Sequence, residues 1–327
     1  MLITLGSPPT ATETAAWHAV VSAAHVRDLP AAVPEPSKAE TAGKLSLPPV
    51  GGRNVHLAST AADGSYDGVA SLLLFSDEHL RHTALLDPLV VHPKARRHGI
   101  GAKLWTAIRA ELAADGRTSI TTVLELGGAG EAFVDSLGFT NVQPLGWYVQ
   151  KVGQALEEIP EPPLPEGLRF ADWTGSVPDE WAEAFARARG TERDAFGEAP
   201  VTHQLDRDVA RAKAVARLIE QRGGVVLTSA VLEPEADDAV AAYTEVVLKA
   251  PTDARALQHA TVVVPRHRGR GLGRAVKRHL LAGLHERHPG VREISTTVAD
   301  ENTSMLAVNE SLGYRRERPA GLFEAKL

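Results

Sequence analysis

At 327 residues the chain exceeds one ordinary core and suits two domains of about 150 residues each. Hydrophobic residues make up 43% and charged residues 23%, a balance that excludes a disordered or fibrous chain. A formal net charge of -6 gives no global attraction to nucleic acid or anionic membrane, and the absence of cysteine removes disulfides, thiolate metal sites and a cysteine nucleophile.

The first residues, Met1 to Pro9, lack a basic segment followed by an apolar core. No apolar run approaches the roughly 20 residues that span a bilayer, so a cytoplasmic protein without a membrane partner is expected. The first half then reads as a helix over Glu13 to Val26, a Pro-, Gly- and Ser-rich loop from Pro34 to Gly52, and a strand over Gly68 to Phe75. The apolar run Leu89-Val90-Val91 enters a turn, Pro93 to Gly101, and a helix follows with Ile100, Leu104, Ile108 and Leu112 on one face. A strand over Ile120 to Leu124 and a short helix closing on Ser136-Leu137-Gly138-Phe139 complete it. Four prolines between Ile159 and Gly167 fix extended backbone, and the linker is placed at 156–167, between domains at 1–155 and 168–327.

The second half repeats the order. A helix candidate over Asp179 to Arg189 precedes strands over Val225 to Leu232 and Ala239 to Leu248. Pro265-Arg266-His267-Arg268-Gly269-Arg270-Gly271-Leu272-Gly273 then answers Pro93-Lys94-Ala95-Arg96-Arg97-His98-Gly99-Ile100-Gly101 without a gap. Both follow a Val-rich run, Val262-Val263-Val264 in the second copy, and Leu272, Val276, Leu280 and Leu284 repeat the helical stride. After a strand over Glu293 to Val298, Ser311-Leu312-Gly313-Tyr314 matches the earlier Leu-Gly-aromatic, with its glycine at a left-handed helix cap. The fold class is α/β (α+β), with a mixed sheet flanked by helices in each half.

A strand that ends in glycines and runs into a helix exposes first-turn N–H groups, where the helix dipole also favours an anion. Positive φ is expected at Gly269, Gly271 and Gly273, and Arg268, Arg270 and Arg274 add charge. The spacing fits neither alternative phosphate loop. A dinucleotide fingerprint would need a third glycine where Arg274 stands, and a P-loop would need Gly-Lys-Ser/Thr where the chain has Gly273-Arg274-Ala275.

Arg-x-x-Gly-x-Gly after a Val-x-Pro strand end resembles the acetyl-CoA signature of the GNAT acetyltransferase superfamily. It is matched by Arg268, Gly271 and Gly273 and by Arg96, Gly99 and Gly101. The resemblance implies two tandem GNAT-like domains with acetyl-CoA as co-substrate. By it, cofactor contacts fall on Val262, Val263, Val264, Arg268, Gly269, Arg270, Gly271, Leu272, Gly273, Arg274 and Asn302, and in the first copy on Val90, Val91, Arg96, Arg97, Gly99, Ile100 and Gly101. A strand amide at Val263 or Val264 would serve the thioester carbonyl.

Acyl transfer to an amine needs a base, an oxyanion donor and a proton for the departing thiolate. Glu245 and His259 are the base candidates, with Asp87 at the first-copy place of His259. The tyrosine that families of this type use as thiolate acid is replaced by Asn309 in the second copy and Val134 in the first. Asparagine does not donate a proton as an acid, which leaves water, Tyr314 or solution. The second copy is therefore read as the catalyst of N-acetylation, acting on an amine of a small polar or antibiotic-like molecule, and the first as degenerate. The alternative is a non-catalytic acyl-CoA-binding or sensing protein. No metal site is expected, since His279, His285 and His288 suit a surface helix. No nucleic-acid partner is expected, and a monomer or homodimer is compatible.

Overall fold

The computed structural model describes residues 1–191 and 208–327. It divides into two compact units, Met1–Val142 with Ala320–Leu327, and Gln143–Pro319. No helix among the described residues is long and apolar enough to cross a membrane.

In the first unit the strands are β1 (Leu2–Thr4), β2 (Gly52–Thr60), β3 (Tyr66–Phe75), β4 (Ala84–Val91), β5 (Ser119–Glu125) and the end of β12 (Arg315–Lys326), neighbours in that order. Helices α3 (Ile100–Ala114) and α4 (Ala129–Ser136) cover one face. Of the predicted stripe, Leu104, Ile108 and Leu112 are fully buried there against Leu57, Leu72 and Leu86, and Ile100 is partly buried beside them. Each such side chain contributes about 1.5–3 kcal/mol by leaving water. On the other face α1 (Ala11–Asp28) and α2 (Lys38–Ser46) bury Trp17, Val20 and Leu45 against Ala58 and Val69. Helix α1 starts where Thr10 and Glu13 cap each other reciprocally. Helix α2 corrects the loop expected from Pro34 to Gly52. The prolines flank it, and Ser37 accepts from the Glu40 amide at 3.0 Å, a cap that the surrounding prolines mask in the sequence.

In the second unit the order is β7 (Arg169–Thr174), β8 (Val225–Glu233), β9 (Ala239–Leu248), β10 (Arg255–Val263), β11 (Glu293–Ala299) and most of β6 (Thr140–Lys151). Helices α5 (Val152–Glu158), α8 (Leu272–Arg287) and α9 (Thr303–Ser311) lie on one face, where Leu280, Leu281 and Leu284 meet Val246, Leu248 and Ile294. Helices α6 (Ala182–Arg189) and α7 (Val209–Gln221) lie on the other, with Phe185 edge-on to Tyr243 at 4.7 Å.

Each sheet is completed by a strand from the opposite half of the sequence. Strand β6 runs antiparallel to β11 from Leu145 to Lys151, and β12 runs antiparallel to β5 from Ala320 to Lys326. The boundaries therefore fall at 142/143 and 319/320 rather than in the proline-rich segment 156–167. That segment packs within the second unit. Leu164 and Leu168 join the cluster of Leu272 and Val276, and the Ile159 carbonyl accepts from Arg278 Nε at 2.5 Å.

Candidate active site

Strand β10 ends where the Val264 amide donates to Ala241 O at 3.0 Å. The chain turns through Pro265–His267, and Gly269 and Gly271 adopt φ of 73° and 76°, left-handed values that cost a residue with a Cβ about 1–2 kcal/mol. Gly271 is the N-cap of α8 and supplies no side-chain cap. The first bond into the helix comes from Ala275 N–H to Gly271 O at 3.0 Å, so the amides of Leu272, Gly273 and Arg274 have no intrahelical acceptor. Gly273, expected at positive φ, instead lies in the first helical turn, and a Cβ there would meet Val263 at an ordinary 3.5 Å. Arg268 anchors its Nε on Val263 O at 3.2 Å and has no carboxylate partner among the described residues. Arg270 donates to His267 Nδ1 at 2.9 Å, while Arg274 Nε is buried without a partner among the described residues.

Beside this turn the sheet opens. Strands β10 and β11 pair in parallel only from Arg255–Leu257 with Glu293–Ser295, although both continue to Val263 and Ala299. In an antiparallel ladder alternate amides serve the neighbour. With Val264 N–H committed to β9, the Val263 amide turns toward the gap. Of the two amides expected to serve the thioester carbonyl, that of Val264 is therefore engaged and that of Val263 faces the gap.

A bulge in β10 between Gln258 and Ala260 releases His259 from the ladder. Its Nδ1 lies 4.0 Å from Glu245 Oε2, with 41% of its side chain exposed. Desolvation by the surrounding protein lowers the imidazole pKa, opposed by the Glu245 carboxylate. The shift favours the neutral imidazole. Glu245 is buried and accepts from Arg189 Nη1 at 2.7 Å, which consumes it in an ion pair. The two base candidates thus meet on the α6 face, in different electrostatic states.

On the α8 face Gln258, the first residue past the last β10–β11 pair, donates to Thr244 Oγ1 and Glu245 O, both at 2.7 Å. Its Oε1 accepts from the Tyr314 hydroxyl at 3.4 Å. Lys277 lies over the Tyr314 ring, its ammonium 4.4 Å from the centroid, and donates to Asn309 Oδ1 at 2.5 Å. Lys277 and Asn309 are buried, and Asn309 Nδ2 has no partner among the described residues. Desolvation lowers the Lys277 pKa to about 7 and pushes the Tyr314 phenol up. Asn302 caps α9, accepting from the Met305 amide at 3.1 Å.

The first unit repeats the frame with other side chains. Arg96 Nε donates to Val91 O at 3.1 Å, Gly99 is the left-handed N-cap of α3, and Gly101 lies in the helix, where a Cβ would meet Phe133 at 3.1 Å. Strands β4 and β5 share a single pair, Leu85 with Thr121, and a bulge falls between Leu86 and Leu89, at Asp87. There Arg97 takes a left-handed φ of 66° where the second copy has Gly269. Asp28 accepts both terminal nitrogens of Arg96, at 2.7 and 2.5 Å, which neutralises the cation.

The family model "Acetyltransferase (GNAT) family" matches residues 34–139 and 181–314, each segment spanning one copy of the turn and the splay. The chain belongs to the GNAT acetyltransferase family. It is 28% identical to a mycothiol acetyltransferase of Salinispora arenicola, over 80% of this chain and 78% of that one. With a mycothiol acetyltransferase of Thermobispora bispora the identity is 27%, over 77% and 82%. Among solved structures, a tandem GNAT protein from the clavulanic acid biosynthesis pathway superposes with TM-score 0.84 at 24% identity, covering 100% of this chain and 98% of that one. A GCN5-related N-acetyltransferase from Sphaerobacter thermophilus gives 0.70 at 17%, covering 99% and 95%.

Within this GNAT frame, three buried polar residues fall outside the sequence motifs. Arg189 ends a helix with a basic last turn and reads there as a dipole partner, and Gln258 is a polar residue in a strand like any other. Lys277 carried a usable signal. It stands four residues before Leu281 on a helix whose Leu281 and Leu284 are buried, so a charge falls on an apolar face.

Proposed function

We propose that the second copy transfers an acetyl group from acetyl-CoA to an amine of a small polar molecule. The observation that carries this is the uncapped start of α8, with an unneutralised Arg268, beside a splayed strand pair. Three unpaired amides and a positive dipole end suit a pyrophosphate; the side chains of Arg268, Arg270 and Arg274 add charge. Val263 packs in the cluster of Leu272 beside this turn, Val262 packs on the opposite, α6 face, and Asn302 orders the start of the facing helix.

Acetyl-CoA brings an activated thioester. The chain's own residues do the rest. Val263 N–H stabilises the oxyanion, a role worth about 2.7–4 kcal/mol for one donor. His259 takes the proton of the attacking amine, and Glu245, held by Arg189, stabilises the imidazolium that results. Asn309 offers its free Nδ2 to the thioester sulfur. The first copy keeps Val90, Val91, Gly99, Ile100 and Gly101 in the same frame, yet Arg96 is spent on Asp28 and Arg97 occupies the place of a glycine. It is read as degenerate. The mycothiol acetyltransferase relatives make amines of that class the first acceptors to try.

Calorimetric titration of acetyl-CoA into wild type, Gly271→Glu and Gly99→Glu tests the reading. Loss of the main binding event in Gly271→Glu alone supports it, and no binding to wild type refutes it. Binding without turnover on any amine would favour the acyl-CoA sensor.

A further inference from the structure

The reaction requires that the departing thiolate gain a proton, and the described residues near the splay leave few donors. Asn309 has no acidic proton. The Tyr314 hydroxyl is held by Gln258, and burial moves its ionisation away from neutral pH. His259 and Glu245 lie on the α6 face with Tyr243 and Arg189, whereas Gln258, Tyr314, Asn309 and Lys277 lie on the α8 face.

Lys277 is a buried ammonium with no carboxylate against it among the described residues. The groups that face it are the Tyr314 ring and Asn309 Oδ1. Burying an unpaired charge is costly, and packing does not require it, because the first copy fills the corresponding places with Trp105, Val134 and Phe139. There Trp105 lies 5.4 Å from Phe139 in a fully apolar cluster. The same frame is therefore stable without the lysine. The Lys277 network reaches β10 at Gln258, where the strand leaves its partner, and its other end is Asn309, whose Nδ2 is a buried donor without a partner among the described residues. A thioester sulfur at that donor would lie beside the ammonium.

We propose that Lys277 is the acid that protonates the coenzyme A thiolate, with Asn309 orienting both the ammonium and the sulfur. The proposal rests on the acetyl-transfer reading of the second copy. As the tetrahedral intermediate collapses, the C–S bond breaks and its electron pair stays on sulfur. One Lys277 proton passes to that sulfur, leaving a neutral amine and free coenzyme A. The amine regains a proton from solvent, and the imidazolium of His259 returns to solvent the proton it took from the acceptor. Burial that brings the lysine pKa to about 7 suits it to give and regain a proton near neutral pH.

The test uses coenzyme A itself and needs no acceptor. The thiolate absorbance of coenzyme A bound to the full-length protein is followed against pH in wild type, Lys277→Met and Lys277→Gln. An ammonium at the sulfur makes the bound thiol at least about tenfold more acidic than in either variant, one pH unit, and more acidic than free coenzyme A. Any first-copy signal is common to all three proteins. A bound wild-type thiol titrating at or above the free value overturns the proposal even if neither variant folds. An equal titration in wild type and a folded variant overturns it too, reducing Lys277 to a structural group. No coenzyme A binding to wild type fails the underlying reading, a separate result. With an amine acceptor, Lys277→Met should lower kcat by about 10²-fold with little change in KM for acetyl-CoA.

Discussion

Trp105, Val134 and Phe139 in the first unit occupy the repeat positions of Lys277, Asn309 and Tyr314 in the second, on the same helix, closing helix and strand start. In one copy the three side chains pack as an apolar cluster; in the other they form a hydrogen-bonded and cation-π group around a buried lysine. The arginine before the glycine turn differs in the same sense, neutralised by Asp28 in the first copy and without a carboxylate among the described residues in the second. The strand positions facing the bulge follow suit, Ser71 and Asp87 against Glu245 and His259. A repeated backbone thus tolerates either an inert or an ionisable filling. The costly filling is a guide to where chemistry is done, because active sites give up stability for function.

The comparison breaks first at its buried charges. Among the described residues, Arg189→Met leaves Glu245 with only His259 within ion-pair range, and should cost about 3–5 kcal/mol in urea unfolding. The double variant Arg189→Met/Glu245→Leu should recover most of that, whereas Ser71→Ala in the first unit should change stability by less than about 1 kcal/mol.

The paired clusters should respond with opposite sign. Trp105→Ala destabilises by about 3–5 kcal/mol, while Lys277→Met stabilises by about 1–3 kcal/mol near pH 7 because it removes an unpaired buried charge. Between about pH 7, where folded Lys277 releases its proton, and the ordinary lysine value of about 10.4, the unfolded chain holds a proton that the folded chain lacks. Wild-type stability therefore rises with pH across that window, and its deficit relative to Lys277→Met narrows. A deficit that stays constant from pH 7 to 10 would place the lysine in water rather than in the core.

For the arginines, Arg268→Ala should weaken acetyl-CoA binding by about tenfold or more, the loss of a charge-assisted hydrogen bond worth about 1.5–3 kcal/mol. Arg96→Ala should change it less than about threefold, since Asp28 already holds that guanidinium. Equal effects in calorimetry would put the first copy on a par with the second.

The smallest expected effect tests how the proline-rich segment is fastened. His279 is bonded to Asp172 at 2.9 Å and Glu161 at 2.6 Å and stacked on Phe170 at 3.8 Å. The Asp172 hydrogen bond above all raises its pKa, against a desolvation that lowers it. The imidazolium bonds stabilise the fold below about pH 6.5 and are lost as pH rises through the higher folded pKa. Stability of wild type over His279→Gln should be about 1 kcal/mol or less at pH 6, given partial exposure, and should shrink toward pH 8.

Much of this was legible in one dimension. The four-residue stride of Leu104, Ile108 and Leu112, and of Leu272, Val276, Leu280 and Leu284, marks two buried helices because a helix returns every 3.6 residues. Gly138 and Gly313 have φ of 84° and 80°, as a glycine just past a helix end suggests. Helix α2 was hidden by its flanking prolines even though Ser37 and Glu40 spell a cap. Strand exchange was not legible, because β6 and β12 find their partners by sheet register, and register has no local marker when the partner lies over 140 residues away.

The sequence by itself determined the periodic and repeated features, namely two strand–turn–helix frames, glycines where backbone must turn left-handed, and arginines beside them. Local sterics and helical geometry act over a few residues, and a few residues suffice to record them. Only the tertiary structure decided which charges are spent and which remain available: that Asp28 neutralises Arg96, that Arg189 holds Glu245 while His259 stays open, that Val264 is committed and Val263 faces the gap, and that Lys277 is buried on Asn309. Those outcomes depend on side chains brought together from distant segments and on the water excluded around them, and neither distance nor dielectric is written along the chain.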